Sequence, residues 1–208
     1  MEKEVKKVWQ NIKKFWDFIW NGKGWLSWIT FLIIIFIFIK LIFFPVLSFL
    51  TGTALPLAIV ESCSMYHGQD FDDWWEQQGK WYENNQITKQ EFQEFPLKNG
   101  FNKGDIFFIL GTEKQDLEIG DTIIFASGTA NRPIIHRVVS LEPLATKGDH
   151  NDIQFIVTNN AEKIDETNIK EEQIIGKVTV IRLPLAGWIK LIFFEPFRPE
   201  HEKGFCKI

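Results

Sequence analysis

From residue 25 to residue 50 the chain reads WLSWITFLIIIFIFIKLIFFPVLSFL, interrupted by one charge, Lys40. At 1.5 Å per residue, about 25 residues make roughly 37 Å of helix, enough to cross ~30 Å of hydrocarbon with tilt. Lys40 lies past the midplane, where its stem can snorkel outward, and Pro45 predicts a kink near the distal end. A buried core helix is the rival reading, and a continuous apolar stretch of this length argues against it. A cleaved signal peptide fits poorly too, because the span is too long and no small-residue cleavage site follows.

Around this run the chain divides into three parts. Residues 1–24 form a cytoplasmic arm, in which Val5, Val8, Trp9, Ile12, Phe15, Trp16 and Ile19 share one helical face among lysines. That pattern is a basic amphipathic helix suited to an anionic membrane surface, broken at Asn21, Gly22 and Gly24. Residues 25–50 are the transmembrane helix, and residues 51–208 the remaining domain. Six lysines precede the span, and no Lys or Arg follows it until Lys80. The arm is therefore expected in the cytoplasm of a single-pass protein of the cell membrane, with everything downstream extracytoplasmic. Net charge is −4, so no basic field points to nucleic acid.

The third part reads as mainly β. IFFILG, DTIIFAS, IIHRVVSL, IQFIVT and GKVTVIRLP are short β-branched or aromatic runs bounded by Gly, Asp, Asn or Pro, and ALPLAIV is a further apolar strand. The fold class expected is a single N-terminal transmembrane helix plus an antiparallel β domain with a short helical insert at 66–100. Within the insert FDDWWEQQGKWYENN and ITKQEFQEF suit helices, the second with Thr88 and Glu91 in capping-box spacing. The Asp/Trp cluster there either packs a small amphipathic helix on the sheet, or binds a partner or lies at the membrane interface, a belt that Trp favours. LAGWIKLIFF, residues 185–194, reads as a core strand running into a membrane-resting edge, or as a short second anchor.

Chemistry concentrates at a few positions. Ser62-Cys63-Ser64-Met65 follows an apolar strand close beyond the span. A serine attacks a carbonyl well only when a base takes its proton. Of the four histidines, His136 lies inside an apolar strand, where partial burial helps keep an imidazole neutral and able to accept a proton. His67 heads a flexible, polar insert and His150 reads as a solvated loop residue, so neither is favoured as the base. Asp149, in the turn TKGDHN, is an acid that could orient an imidazole. Cys63 and Cys206 lack metal-ligand spacing, and a disulfide between them is compatible with an oxidising compartment. Neither metal nor organic cofactor is implied.

Composition and periodicity alone would leave such a triad a guess; the order of the blocks SCSM, NKGDIFFI, IGDTIIF, IIHRVV, TKGDHN and IIGKVTVIRLPLAGWIKL carries more. Together they resemble type I signal peptidases of the archaeal and endoplasmic-reticulum branch, over residues 25–192. The resemblance implies a serine endopeptidase that removes signal peptides from translocated preproteins at the outer membrane face. It implies Ser64 as nucleophile, Ser62 as an oxyanion donor, His136 as base and Asp149 as the acid of the TKGD block. A second acid is filled by Asp165 or Asp152, with Asp165 preferred because it lies just before the IIGKV strand. Preproteins, membrane lipid and the protein translocation channel are the partners this implies.

Two departures support a different class of protein. Cys63 stands where the family has glycine, and the usual proline after the Ser-Met pair is missing. The alternative is a catalytically inactive membrane-anchored β-domain binding protein. A self-cleaving regulator of the Ser–Lys kind is the other rival, and both IIHRVV and the membrane span count against it. A second hairpin reading pairs IIHRVVSL with IQFIVTNN and puts TKGDHN at its tip.

Overall fold

A computed structural model describes residues 2–126, 132–157 and 164–207. The chain divides into two compact units, Met1–Leu50 and Thr51–Ile208.

In the first unit, helix α1 (Glu2–Asn21) stops at a turn, and α2 (Trp25–Phe38) begins after Gly24. The turn is held by Ser27, whose buried hydroxyl donates to the carbonyls of Phe18 (2.7 Å) and Ile19 (3.1 Å). These are carbonyls that the end of α1 leaves without helical partners. A π turn, Ile39–Phe43, joins α2 to α3 (Phe44–Thr51). Proline offers no N–H and crowds the carbonyl four residues earlier, so a widened turn just before Pro45 relieves that clash without breaking the helix. The resulting stretch Trp25–Thr51 is long and apolar enough to cross a membrane. Its apolar side chains are exposed on every side, including Leu32, Phe36 and Leu41. A helix apolar all round needs a non-aqueous environment.

In the second unit the described residues form a six-stranded, wholly antiparallel half-barrel sheet of order β1-β2-β6-β3-β4-β5. Its strands are β1 (Leu57–Ile59), β2 (Ile106–Leu110), β3 (Thr122–Phe125), β4 (Ile134–Leu141), β5 (Leu144–Lys147) and β6 (Ile174–Leu183). One core gathers Val60, Met65, Phe101, Phe107, Ile109 and Val178. Met65 is thus a core residue, which anchors the turn carrying Ser64 to the sheet.

The insert between β1 and β2 carries α4 (Phe71–Asn84) and α5 (Lys89–Glu94). Each helix is capped by its own sequence: Asp70 accepts from the Asp73 N–H, and Thr88 and Glu91 close a capping box. The Trp-rich face packs inward. Trp74, Trp75, Tyr82 and Phe92 are buried with Val139 and Ala145 of the sheet. Of the two readings of this cluster, packing on the sheet is the one found.

Three local expectations are corrected. IQFIVT is not a strand over its described residues, 153–157, and β5 (LATK) pairs with β4 in its place. At Phe155 the N–H donates to the Glu166 carboxylate (2.7 Å) and the carbonyl accepts from the Glu166 N–H (2.9 Å), so both backbone groups of this residue are held by Glu166 and not by a β4 ladder. TKGDHN is consequently not a hairpin tip but the exit of β5. Finally, residues 188–191 form a single helical turn, α6 (Trp188–Leu191), with Leu191 buried and Ile189 exposed. The expected core strand is absent there.

Candidate active site

The serine turn leaves β1 at Val60, whose backbone exchanges bonds with Asp105 (2.9 Å) and Gly104 (2.8 Å). Beyond it the chain reverses, the Tyr66 N–H donating to the Cys63 carbonyl (3.0 Å). The Met65 carbonyl accepts from Phe101 N–H (2.9 Å), and the Ser64 carbonyl from His150 N–H (2.8 Å). The turn is therefore pinned at consecutive residues to two different parts of the domain. Gly100 makes one of these approaches possible: its φ is +64°, and a Cβ there would stand 2.3 Å from the Met65 carbonyl oxygen. The hydroxyls of Ser62 and Ser64 lie 3.2 Å apart. Among the described residues the Ser64 hydroxyl bonds to that of Ser62 and not to the His136 ring.

His136 and Arg137 are neighbours on β4, so they point to opposite faces of the sheet and each meets its own carboxylate. The buried His136 ring bonds through Nδ1 to Glu166. Glu166 is fully buried, and its second oxygen accepts from Phe155 N–H (2.7 Å), while Thr146 Oγ1 adds a longer bond (3.3 Å). A carboxylate at Nδ1 keeps the proton there and leaves the Nε2 lone pair bare, the tautomer a general base requires. Nε2 faces Gly148, where a Cβ would come within 2.7 Å of it. Residues 148–150 thus adjoin both candidates: Gly148 lies against the His136 ring, and His150 holds the Ser64 carbonyl.

Asp149 does not serve His136. Its carboxylate accepts from Arg137 Nη2 (2.7 Å), Tyr82 OH (2.8 Å), His67 Nε2 (2.9 Å) and Arg137 Nε (3.0 Å). Burial alone would raise this carboxyl, but the Arg137 charge and the bonds from His67 and Arg137 outweigh it and hold the group well below the usual carboxylate range. The Arg137 guanidinium also donates to the carbonyls of Pro96 (2.8 Å), Gly120 (2.9 Å) and Leu97 (3.0 Å). This cluster joins insert, sheet and the 148–150 turn. Asp165 is also elsewhere, accepting from the N–H (2.9 Å) and hydroxyl (2.7 Å) of Thr167. Asp152 is exposed. The residue that sequence reasoning missed is therefore Glu166, one position beyond Asp165. Block spacing could not find it, because several acids precede the IIGKV strand and only the exchange of bonds with Phe155 selects among them.

Two further titratable groups, His67 and Lys147, lie close by. His67 stacks on Trp74 at 3.8 Å, and burial lowers its pKa despite the hydrogen bond and charge of Asp149. Burial pushes the Lys147 ammonium down to about 8, with Asp149 and Glu166 opposing. It donates to the Gly148 carbonyl (3.1 Å) and lies over the Tyr82 ring. Cys63 and Cys206 form a disulfide.

No family model matches the chain. Among curated proteins it is similar to the signal peptidase complex catalytic subunit SEC11 of Scheffersomyces stipitis, 29% identical over 105 residues, 48% of this chain and 61% of the relative. The SEC11 subunit of Colletotrichum graminicola is 28% identical over 109 residues, covering 48% and 59% of the two chains. Human SEC11C is 21% identical over 104 residues, covering 46% and 52%. The chain thus spans about half the length of the curated relatives it matches. The chain carries an antiparallel half-barrel sheet and, in its other unit, a helix of spanning length, the parts a membrane-anchored peptidase needs. The relatives support, more particularly, the type I signal peptidase family.

Proposed function

We propose that this chain is a serine endopeptidase that removes N-terminal signal peptides from translocated preproteins at the outer face of the membrane. Ser64 is the nucleophile and His136 the general base, with Glu166 taking the orienting role first expected of Asp149 or Asp165. On substrate binding the Ser64 hydroxyl exchanges its Ser62 bond for His136 Nε2 and attacks the scissile carbonyl. Catalytic hydrogen bonds are often longer or unmade before substrate arrives. The freed Ser62 hydroxyl and the Ser64 N–H hold the oxyanion, and each such donor contributes ~3 kcal/mol. The imidazolium then protonates the leaving amine, a water deprotonated by His136 cleaves the acyl–Ser64 ester, the proton returns to the Ser64 oxygen, and Glu166 stabilises the imidazolium in both steps.

The carrying observation is the buried Glu166–His136 pair, with Nε2 turned to the same three-residue turn that holds Ser64 by its carbonyl. The helix 25–51 confines the search for a cleavage site to the membrane plane. The Cys63–Cys206 disulfide supports an extracytoplasmic domain, as does the lysine bias of the arm. The basic arm rests on anionic lipid, and the translocation channel is the neighbour that delivers substrate.

The test is cleavage of a preprotein by the full chain in proteoliposomes, with the new N-terminus read by mass spectrometry. Ser64→Ala and His136→Gln should each abolish it. Cleavage at the wild-type rate by Ser64→Ala would refute the assignment. A membrane-anchored binding module is the second reading, favoured by the bond Ser64 makes to Ser62; it predicts a preprotein retained uncut by wild type and Ser64→Ala alike.

A further inference from the structure

The turn that carries Ser64 is held from a direction the reaction itself does not use. Glu61, one residue before Ser62, receives Arg198 Nη2 at 2.8 Å, and the backbone carbonyl of Glu61 receives Arg198 Nη1 at 3.1 Å. The Arg198 side chain is 8% exposed and that of Glu61 27%, so the contact is partly shielded from water; Lys190 Nζ (3.2 Å) and Arg132 Nη1 (3.1 Å) also reach the Glu61 carboxylate. Cys63, between the two serines, is bonded to Cys206. The two tethers therefore flank Ser62, and both come from the last stretch of the chain.

That stretch is itself built. The almost fully buried ammonium of Lys103 is 2.7 Å from Glu195 Oε1 and donates to the Glu202 carbonyl at 2.7 Å. Glu195 Oε2 accepts from the Gly204 N–H at 2.7 Å, closing residues 195–204 into a loop. Phe205 lies on the Trp188 ring at 4.5 Å, and Trp188 Nε1 donates to the Lys103 carbonyl at 3.1 Å. A loop so anchored has a fixed position from which to hold the serine turn.

We propose that residues 195–206 are a clasp belonging to the candidate active site, in which Arg198 and Cys206 are positioning residues for the Ser64 turn. The inference rests on the peptidase reading for its catalytic consequence, but not for its structural one. A nucleophile must be held within a fraction of an ångström of its reactive geometry, and a misplacement of about 1 Å can cost about a hundredfold in rate. A glycine at position 63, as in the family pattern, cannot make the covalent tether, so Cys63 turns a departure into a device.

The experiment uses the full chain in proteoliposomes, with Arg198→Ala, Arg198→Lys and Cys206→Ser, and wild type treated with dithiothreitol. Dithiothreitol supplies the two electrons and two protons that convert the disulfide to two thiols, and leaves as its cyclic disulfide. Two quantities are read: kcat and KM for preprotein cleavage, and hydrogen exchange of the peptide spanning residues 61–66 over seconds to minutes. β3 and β4, paired within the sheet, should stay protected on that timescale and serve as the control. The clasp predicts kcat lowered about tenfold or more in Arg198→Ala, in Cys206→Ser and in reduced wild type. KM should stay within about twofold, and Arg198→Lys should recover part of the rate because it restores the charge but not the two-pronged contact. Exchange at residues 61–66 should quicken in parallel, and dithiothreitol should do nothing further to Cys206→Ser.

The clasp is refuted if exchange of 61–66 is unchanged in both Arg198→Ala and Cys206→Ser, or if exchange quickens equally throughout the sheet. It is refuted equally if the turn loosens while kcat does not move. Should Ser64→Ala cleave as wild type does, the peptidase reading fails, and the exchange measurement alone then decides whether the clasp exists.

Discussion

Replacing Glu166 by glutamine tests the site at its most informative atom. Both carboxylate oxygens of Glu166 accept: one from Phe155 N–H and the other from His136 Nδ1 and Thr146 Oγ1. Glutamine has a single acceptor oxygen and a donating NH2. The backbone N–H of Phe155 is an obligatory donor in a partly buried place, so it claims the amide oxygen. The NH2 then faces His136 and can only donate to Nδ1, which forces the ring proton onto Nε2. The imidazole remains in position but carries the wrong tautomer, as in a serine triad whose aspartate becomes asparagine, where kcat falls about 10⁴-fold, or about 5 kcal/mol of barrier. Glu166→Gln should therefore lose 10³- to 10⁴-fold (about 4–5 kcal/mol) in kcat for preprotein cleavage, with KM little altered and the melting temperature close to wild type. Asp165→Asn, which touches only Thr167, should change kcat by less than about twofold. If Glu166→Gln cleaves within about threefold of wild type, the tautomer argument is wrong and His136 is not oriented by Glu166.

Three further outcomes follow from neighbouring contacts. Asp149→Asn removes the charge that Arg137 faces in a fully buried pair and should cost about 3–5 kcal/mol of stability. The check is denaturant unfolding in detergent, where a loss below about 1 kcal/mol would show the cluster to be dispensable. Gly148→Ala puts a methyl 2.7 Å from His136 Nε2, so cleavage should fall far more than the melting temperature does; an equal loss of both would contradict this. His67 has a folded-state pKa below its ordinary value of about 6.5, so the unfolded chain binds its proton first and protons favour unfolding. Its contribution is complete above about pH 6.5 and is lost as pH falls, and Asp149, also lowered, adds a second loss below about pH 4. Melting curves between pH 4 and 7 should show His67→Gln without the first of these declines.

Several elements were legible because their signals are local. The insert helices are written in Asp70, in the Thr88–Glu91 pair and in the Trp-rich face of α4. The strands IFFILG, DTIIFAS, IIHRVVSL and GKVTVIRLP appear as β2, β3, β4 and β6. IQFIVT had equal β propensity, yet its described residues 153–157 are not a strand, and both backbone groups of Phe155 are held by Glu166. Asp149 misled for a reason of parity. It follows β5, and β4 next to it offers His136 to one face and Arg137 to the other. A guanidinium with five donors takes a buried carboxylate more completely than one imidazole nitrogen can.

What the amino-acid order determined unaided is the helix able to cross a membrane and the mainly antiparallel sheet with its helical insert; Ser64 and His136 stood out only through the resemblance of the ordered blocks to a known family. Hydropathy, strand periodicity and capping act over a few neighbouring residues, so they can be read along a line. The tertiary structure alone decided which acid meets His136, that Arg137 takes Asp149, and that the chain's last residues return to hold the turn beside Ser62. Those pairings join positions 12 to 143 residues apart. They depend on strand parity, loop path and competition among donors, and such quantities exist only once the backbone is folded.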